Sequence, residues 1–423
     1  MEKSSRIPGL HKMTIEERIE AVKAFADLSS DEAALLGRCS VLDLNTADRM
    51  IENVIGTFEI PLGVVPNMVV NSREVLVPLA VEESSVIAAL ANAAKMVRSG
   101  GGFFTSSSAP IMIAQIQTVD IADPFAAKVK ILERREEIIL KANEQDPILV
   151  KLGGGCRDIE VRVVDTVKGP MVITHILVDT RDAMGANAVN TMAEALAPSI
   201  EEWTGGKVFL RILSNLADRR IARARCLVKK DAISPGPEVI DGIINAWAFA
   251  DADPYRAATN NKGIMNGISS LVLATGNDYR AIEAGAHAYA ARTGKYRALA
   301  QWEKDSDGNL VGSLELPLAM GLVGGATAIH PMAKLIVKVL GVKTATELAE
   351  ITAAVGLGQN LSALRALSSE GIQKGHMTLH AKNIAVMVGA EGDEIELVAK
   401  KLAEEGKVRV DRAEEILKQL RNP

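Results

Sequence analysis

Six consecutive segments decide the fold: IMIAQIQTVDI (111–121), PFAAKVKILERREEIILKANEQ (124–145), DIEVRVVDT (158–166), MVITHILVDT (171–180), MGANAVNTMAEALAPSIEEWT (184–204) and KVFLRILS (207–214). By run length, apolar pattern and flanking Gly and Pro they read as strand, helix, strand, strand, helix and strand. That βαββαβ order is the split-βαβ, or ferredoxin-like, unit. Gly100-Gly101-Gly102 and Ser106-Ser107-Ser108 stand before it and Ser214-Asn215 after it. A small domain, 109–216, is therefore expected as an insertion in a larger one built from 1–108 and 217–370.

Working outward, the flanks read as helical, which makes the fold class α+β with a mostly helical large domain. Thr14 with Glu17, and Ser29 with Glu32, fit the capping box that satisfies free amides at a helix start. A third helix is expected over about 83–98, where Val86, Ala89, Leu90 and Ala93 form an apolar stripe. Beyond 216 the pattern returns to long Ala-rich helices separated by glycine loops, among them GLVGGA at 321–326. Residues 371–375 read as a small loop, followed by a helix to about 388 and two charged amphipathic helices at 394–405 and 411–420. A C-terminal helical module, 371–423, on a glycine hinge can move as a flap.

Composition narrows the function classes. The chain's 423 residues imply two or three domains. No run of about 18 apolar residues that could cross a bilayer and no charged-then-apolar leader is found, so a cytoplasmic protein is expected. Cys39, Cys156 and Cys226 are odd in number, far apart and not in a CxxC pair, which argues against disulfides or a zinc cluster. A net charge of -5 and only 3% aromatic residues give neither a pull on nucleic acid nor stacking platforms for bases.

No Walker A sequence, HExxH motif or metal-spaced His/Cys set occurs, so no metal is expected. Gly356-Leu357-Gly358 approaches GxGxxG, but Gln359-Asn360-Leu361 follows and a Rossmann site is not supported. The strand-to-helix junction at 178–190 (VDTRDAMGANAVN) offers an alternative phosphate site. Gly185 would let backbone approach a pyrophosphate, and Asn187 and Asn190 could hydrogen-bond it. Read alone, Asp182 is as well an N-cap and Gly185 a packing glycine. Four ionisable groups stand in unusual company. Glu83, after Glu82 and the strand-like stretch 75–81, begins a helix; Lys262 lies in a polar, glycine-flanked loop, NNKGIMNG (260–267); Asp278 ends TGND (275–278) and could cap a helix or hold an ammonium; His376 opens the flap.

Taken together, Glu52-Asn53-Val54-Ile55-Gly56, the Glu83 segment, DAMGAN (182–187), KGIMNG (262–267), TGND (275–278) and Gly375-His376-Met377 resemble the ordered signature motifs of 3-hydroxy-3-methylglutaryl-CoA (HMG-CoA) reductase. The resemblance runs from about residue 6 to 420. Lacking an N-terminal membrane region, the chain looks like the soluble class II branch.

The resemblance implies reduction of a thioester to an alcohol by two nicotinamide hydrides, through a hemithioacetal and mevaldehyde. It makes Lys262 the cation that stabilises the developing oxyanion, Asp278 the group that keeps it protonated, His376 the donor to the leaving CoA thiolate and Glu83 the donor to the aldehyde oxygen. Ser85, Arg256, Asn266 and Gln359 become contacts for the acyl and CoA portions, with coenzyme A a product. The inserted domain carries the cofactor, at Asp182, Met184, Gly185, Asn187 and Asn190. NADH is expected over NADPH, which remains allowed, because a carboxylate at Asp146 can accept from both ribose hydroxyls and repels a 2′-phosphate. A homodimer with shared active sites is implied, its contact including Glu52 to Gly56, and a trimer of dimers is suggested. His11 and Lys12 occupy the arm where relatives place basic residues near CoA phosphates, a departure from the pattern.

Two rivals stand beside this reading. Cys156 after Gly153-Gly154-Gly155 could be the nucleophile of a different acyl-CoA enzyme, since a glycine loop can create a low-pKa thiolate. Alternatively the inserted unit could be a non-catalytic module that binds nucleotide or a partner.

Overall fold

The computed structural model describes residues 3–369 and 372–421, the side chains of 372–379 excepted. Ten strands form two separate sheets: β1 (Leu62–Val70), β2 (Arg73–Ala80), β3 (Phe103–Ser107), β4 (Ile111–Val119), β5 (Gly155–Val164), β6 (Met171–Asp179), β7 (Lys207–Leu213), β8 (Ile221–Val228), β9 (Ala300–Lys304) and β10 (Leu310–Pro317). The stretch 111–214 gives the smaller sheet, ordered β5-β6-β4-β7 and antiparallel throughout. Helices Pro124–Glu133, Arg135–Asn143 and Ala186–Thr204 pack on it. The helix expected over 124–145 is thus two, with Arg134 at φ -102 and ψ 21 breaking the turn between them. Asp123 caps the first by accepting from the Ala126 amide, with Pro124 at its first position, where no amide partner is needed.

The remainder carries more helix than strand, as expected from sequence, but is organised on a six-stranded sheet that was not expected, ordered β2-β1-β3-β8-β10-β9. All its pairings are antiparallel except β1 with β3. Of its strands, sequence marked only β2, at 75–81. Residues 75–79 are buried without a break, as an apolar run can be in a strand covered on both faces, whereas β8 alternates exposed Arg223 and Arg225 with small buried Ala222, Ala224 and Cys226. Against this sheet lies helix Ala345–Ser368, whose residues 351–362 are buried on every side. A helix apolar all round belongs in an interior. It also touches helices Val86–Val97, Val239–Ala252 and Pro254–Ala274, so it is the axle of the larger core.

The C-terminal helices Ile372–Met387, Asp393–Glu405 and Val410–Arg421 enclose a core of their own, with Ala381, Ala385, Val398, Leu402, Ala413 and Ile416 at its centre. Residues 372–375 are helical, not loop, while Gly371 lies outside the described residues. No helix among the described residues is long and apolar enough to cross a membrane.

Candidate active site

Lys262 stands in the middle of a 21-residue helix, Pro254–Ala274, and not in a loop. Asp253 caps that helix through the Arg256 amide at 2.9 Å. Ala257, Asn260, Asn261, Ile264, Met265, Ile268 and Leu271 are buried at helical spacing. The asparagines that suggested a loop are interior polar groups with partners. Asn260 Oδ1 accepts from Asn360 Nδ2 at 3.0 Å, whose own Oδ1 takes the Trp302 indole N–H at 2.7 Å; Asn261 bridges Arg297 O and the Leu299 amide. Gly267 is glycine because a Cβ there would come within 2.9 Å of Val355 and 3.2 Å of Gln359.

On the helix's open face the Lys262 Nζ donates to Glu83 Oε2 at 2.7 Å, joining residues 179 apart in sequence. Both are solvent-accessible, Lys262 at 61% and Glu83 at 36% of the side chain. Glu83 does not begin a helix: residues 82–85 form a turn, and the helix starts at Val86. The turn ends at Ser85, a non-glycine residue at φ 76. Its Oγ is buried with no hydrogen-bond partner, as is Gln359 Oε1 on the axle helix. Arg256 is half-buried, burial pushes its pKa down, and it makes no ion pair among the described residues. Asn266, one turn beyond Lys262, is half-buried on the same face.

Asp278 is not brought to Lys262 in this chain. It caps helix Tyr279–Ala290, accepting from the Arg280 and Ala281 amides at 3.1 Å and from Arg280 Nε at 3.4 Å. All three contacts fall on Oδ1. The capping role explains why a carboxylate is needed there locally. His376 falls on helix Ile372–Met387, and its side chain lies outside the described residues.

At the junction after β6, Gly185 caps helix Ala186–Thr204 at φ 98 with no side-chain bond, so the first-turn amides have no side chain over them. A Cβ on Gly185 would collide with the Thr180 side chain. Asp182 is not the cap of that helix: its Oδ1 accepts from the Ala345 amide at 2.8 Å, tying the turn to the axle helix. Met184 lends its carbonyl to Arg220 Nη1 at 3.3 Å. Asn187 is exposed, whereas Asn190 Oδ1 accepts from the Leu213 amide at 2.8 Å and fastens the helix to β7. Asp146, half-buried, starts a short helix, Pro147–Lys151, by accepting from the Leu149 amide.

Sequence reasoning passed over the part played by the loop 321–326. Gly321 N donates to Asn277 Oδ1 at 2.7 Å, Leu322 N donates to Asp182 O at 2.8 Å, and Ala183 bridges Val323. The DAMGAN and TGND turns are thereby held side by side, and the paired glycines of GLVGGA were the available signal. A cavity of about 1040 Å³ opens beyond Ser85, apolar along its walls and rimmed by Arg6, His11, Arg18 and Lys95. The cysteine rival fails on this geometry. Cys156 is 2% exposed and burial pushes its thiol up to about 11, which makes it an inert packing group.

The family model for hydroxymethylglutaryl-coenzyme A reductase matches residues 14–381. The chain belongs to that family. Its sequence is 57% identical over 420 residues to 3-hydroxy-3-methylglutaryl-coenzyme A reductase of Archaeoglobus fulgidus, covering 99% of this chain and 95% of that one. A probable reductase of the same kind from Borreliella burgdorferi is 35% identical over 88% of this chain and 85% of its own. Among solved structures, the class II reductase of Streptococcus pneumoniae bound to NADPH in open conformations superimposes with a TM-score of 0.83 at 41% identity, over 97% of this chain and all of that one. The chain is therefore an oxidoreductase of the reductase family, in its class II branch, with the mixed sheet-and-helix architecture of those structures.

Proposed function

We propose that this reductase interconverts HMG-CoA and mevalonate plus CoA, with the Lys262–Glu83 pair at the reacting carbon. The contact at 2.7 Å carries the reading, because two motif segments that share nothing local meet as an ion pair on an open face. A bound nicotinamide supplies and accepts the hydrides. As negative charge grows on the thioester oxygen, Lys262 Nζ, held by Glu83, is the donor that stabilises it. Glu83, hydrogen-bonded to Nζ at 2.7 Å, is the proposed proton donor to the aldehyde oxygen in the second reduction. His376, on the C-terminal module, is the proposed donor to the leaving thiolate.

Substrate contacts follow from groups left unsatisfied. Burial of Ser85 Oγ and Gln359 Oε1 without partners, and partial burial of the Arg256 guanidinium with no ion pair among the described residues, are costly unless a ligand completes them; an acyl carboxylate accepting from Ser85 and Arg256 and the 3-hydroxyl donating to Gln359 Oε1 fit. Asn266 flanks the same helix. The long cavity suits the CoA arm, its rim cations the phosphates.

Residues 109–216 are read as an inserted ferredoxin-like cofactor domain, supported by the strand order β5-β6-β4-β7, and 371–423 as a flap, supported by its separate core. The large domain comprises 1–108 and 217–370. The open first turn of Ala186–Thr204, with Asp182, Met184, Asn187 and Asn190 around Gly185, fits a dinucleotide pyrophosphate, and Asp146 is the proposed selector of NADH over NADPH. Ile55 and Phe58 are almost wholly exposed beside Glu52, which supports a homodimer built on this segment and, with it, active sites shared between subunits. A trimer of dimers and a cytoplasmic location complete the reading.

The test is nicotinamide absorbance at 340 nm with HMG-CoA, run in reverse with mevalonate and CoA. Lys262→Ala should lower kcat/KM by about 100-fold or more, as loss of an oxyanion donor does, on the order of 3 kcal/mol. Near wild-type turnover by that variant would remove the mechanism.

A further inference from the structure

Arg220 is a charged side chain only 5% exposed, and its partners are neutral oxygens. Nη1 donates to Thr180 Oγ1 at 3.0 Å, Ala183 O at 2.9 Å and Met184 O at 3.3 Å, while Nη2 donates to Met320 O. Burial pulls its pKa down to about 10, which still leaves a cation at neutral pH, and Asp182 and Asp179 favour that charge. An interior guanidinium is expensive to desolvate, so its retention calls for a task that a smaller or apolar residue would not perform.

Its place in the chain shows the task. Arg220 lies where the backbone returns from the smaller sheet to the larger one, directly before β8. Opposite it is the outward crossing, at Ser108, whose Oγ donates to Arg219 O at 2.9 Å and accepts from the Ile221 amide at 2.8 Å. From this fixed point one plane of donors reaches two loops. In a trans peptide the C=O and the following N–H point in opposite directions. Drawing the carbonyls of 183 and 184 toward the guanidinium therefore turns the amides of 184 and 185 away from it. The third carbonyl, Met320 O, immediately precedes Gly321, whose amide holds Asn277 beside Asp278.

We infer that Arg220 is a positioning residue of this reductase: its guanidinium sets the 180–185 turn for the dinucleotide and locks that turn to the 320–321 loop that fixes the Asp278 segment. The inference deepens, and rests on, the reading of 182–190 as the cofactor site. Arg220 touches neither cofactor nor substrate. Its signature is a selective loss of cofactor affinity with the thioester site intact.

The experiment uses Arg220→Lys, which keeps the charge but cannot spread donors in a plane over several carbonyls, with Arg220→Gln as a second variant should the first fold poorly. NADH affinity is read by nucleotide fluorescence and the HMG-CoA KM by steady-state kinetics. Hydrogen exchange of the 180–192 peptide is followed with and without NADH. Expected are a Kd for NADH raised at least fivefold, an HMG-CoA KM within twofold of wild type, and faster exchange of the turn in the cofactor-free variant. A folded variant with wild-type NADH affinity overturns the inference, and so does one in which both ligands weaken equally. If NADH fails to protect 180–192 in the wild type, the cofactor-site reading falls and takes the inference with it. Protection in the wild type with unchanged affinity in the variant sinks the Arg220 role alone.

Discussion

Replacing Glu74 with Gln tests how the N-terminal arm is held over the large cavity. Glu74, on β2, takes Arg98 Nη2 on Oε1 at 2.6 Å and Nη1 on Oε2 at 2.9 Å, and the Ser5 amide on Oε2 at 2.8 Å; the Ser5 hydroxyl donates to it as well. Both charged side chains are about three-quarters covered, at 23% and 25% exposure. Desolvation alone would raise the Glu74 pKa, but the hydrogen bonds from Arg98 and Ser5 outweigh it and hold the carboxyl at about 2 against an ordinary 4.5. That difference sets a ceiling of about 3.4 kcal/mol at 1.36 kcal/mol per unit. Residual exposure and the acceptor that Gln retains bring the expected loss to about 2 kcal/mol at pH 7. Because the folded-state pKa is depressed, this stability is fully present above about pH 4.5 and disappears as pH falls toward 2. By linkage roughly a quarter should be gone by pH 4 and more than half by pH 3. Denaturation midpoints for both proteins at pH 7, 4 and 3 measure it. The arm from Arg6 to His11 lines the cavity, so the HMG-CoA KM should rise severalfold in the variant while the cofactor KM stays put. A stability deficit under about 0.5 kcal/mol at pH 7, or one that does not shrink with acid, would refute the reasoning.

Two further outcomes bear on the flap and on cofactor choice. Truncation before residue 371 should abolish thioester reduction but leave a folded protein that binds NADH, since the C-terminal helices have their own core; His376→Gln should impair thioester reduction more than reduction of added mevaldehyde, and equal impairment of both would exclude its role as thiolate donor. Specificity constants should favour NADH, with Asp146→Ala moving the ratio toward NADPH by severalfold. A wild type that prefers NADPH, or an unmoved ratio, eliminates Asp146 as selector.

The smaller sheet was legible because its strands and helices follow one another locally, and each carries its own punctuation, such as Asp123-Pro124 and Gly205. The larger sheet was not, apart from 75–81, because it brings together strands as distant as β1 and β10, and their pairing is written nowhere locally. Lys262 was singled out as a candidate but assigned to the wrong element. Asn260, Asn261 and two glycines look like loop chemistry until Asn360, Trp302 and Arg297 supply their partners, up to 100 residues away. Tertiary hydrogen bonds override propensity there.

The converse holds at the proposed site, where local rules fail and nothing among the described residues makes up the loss. Ser85 adopts a left-handed backbone that a glycine would take more cheaply, then buries its hydroxyl unpaired; Gln359 leaves an acceptor bare in the middle of a fully buried helix; Arg256 gives up hydration without a counter-ion. Selection for stability alone would replace each of these. The explanation we propose for all three is a ligand that completes them, and they lie on, or in the case of Ser85 directly before, the three helices, Val86–Val97, Pro254–Ala274 and Ala345–Ser368, that meet in the larger core. The Lys262–Glu83 pair joins helix Pro254–Ala274 to the turn that carries Ser85, so the proposed chemistry and these incompletely satisfied groups draw on the same segments.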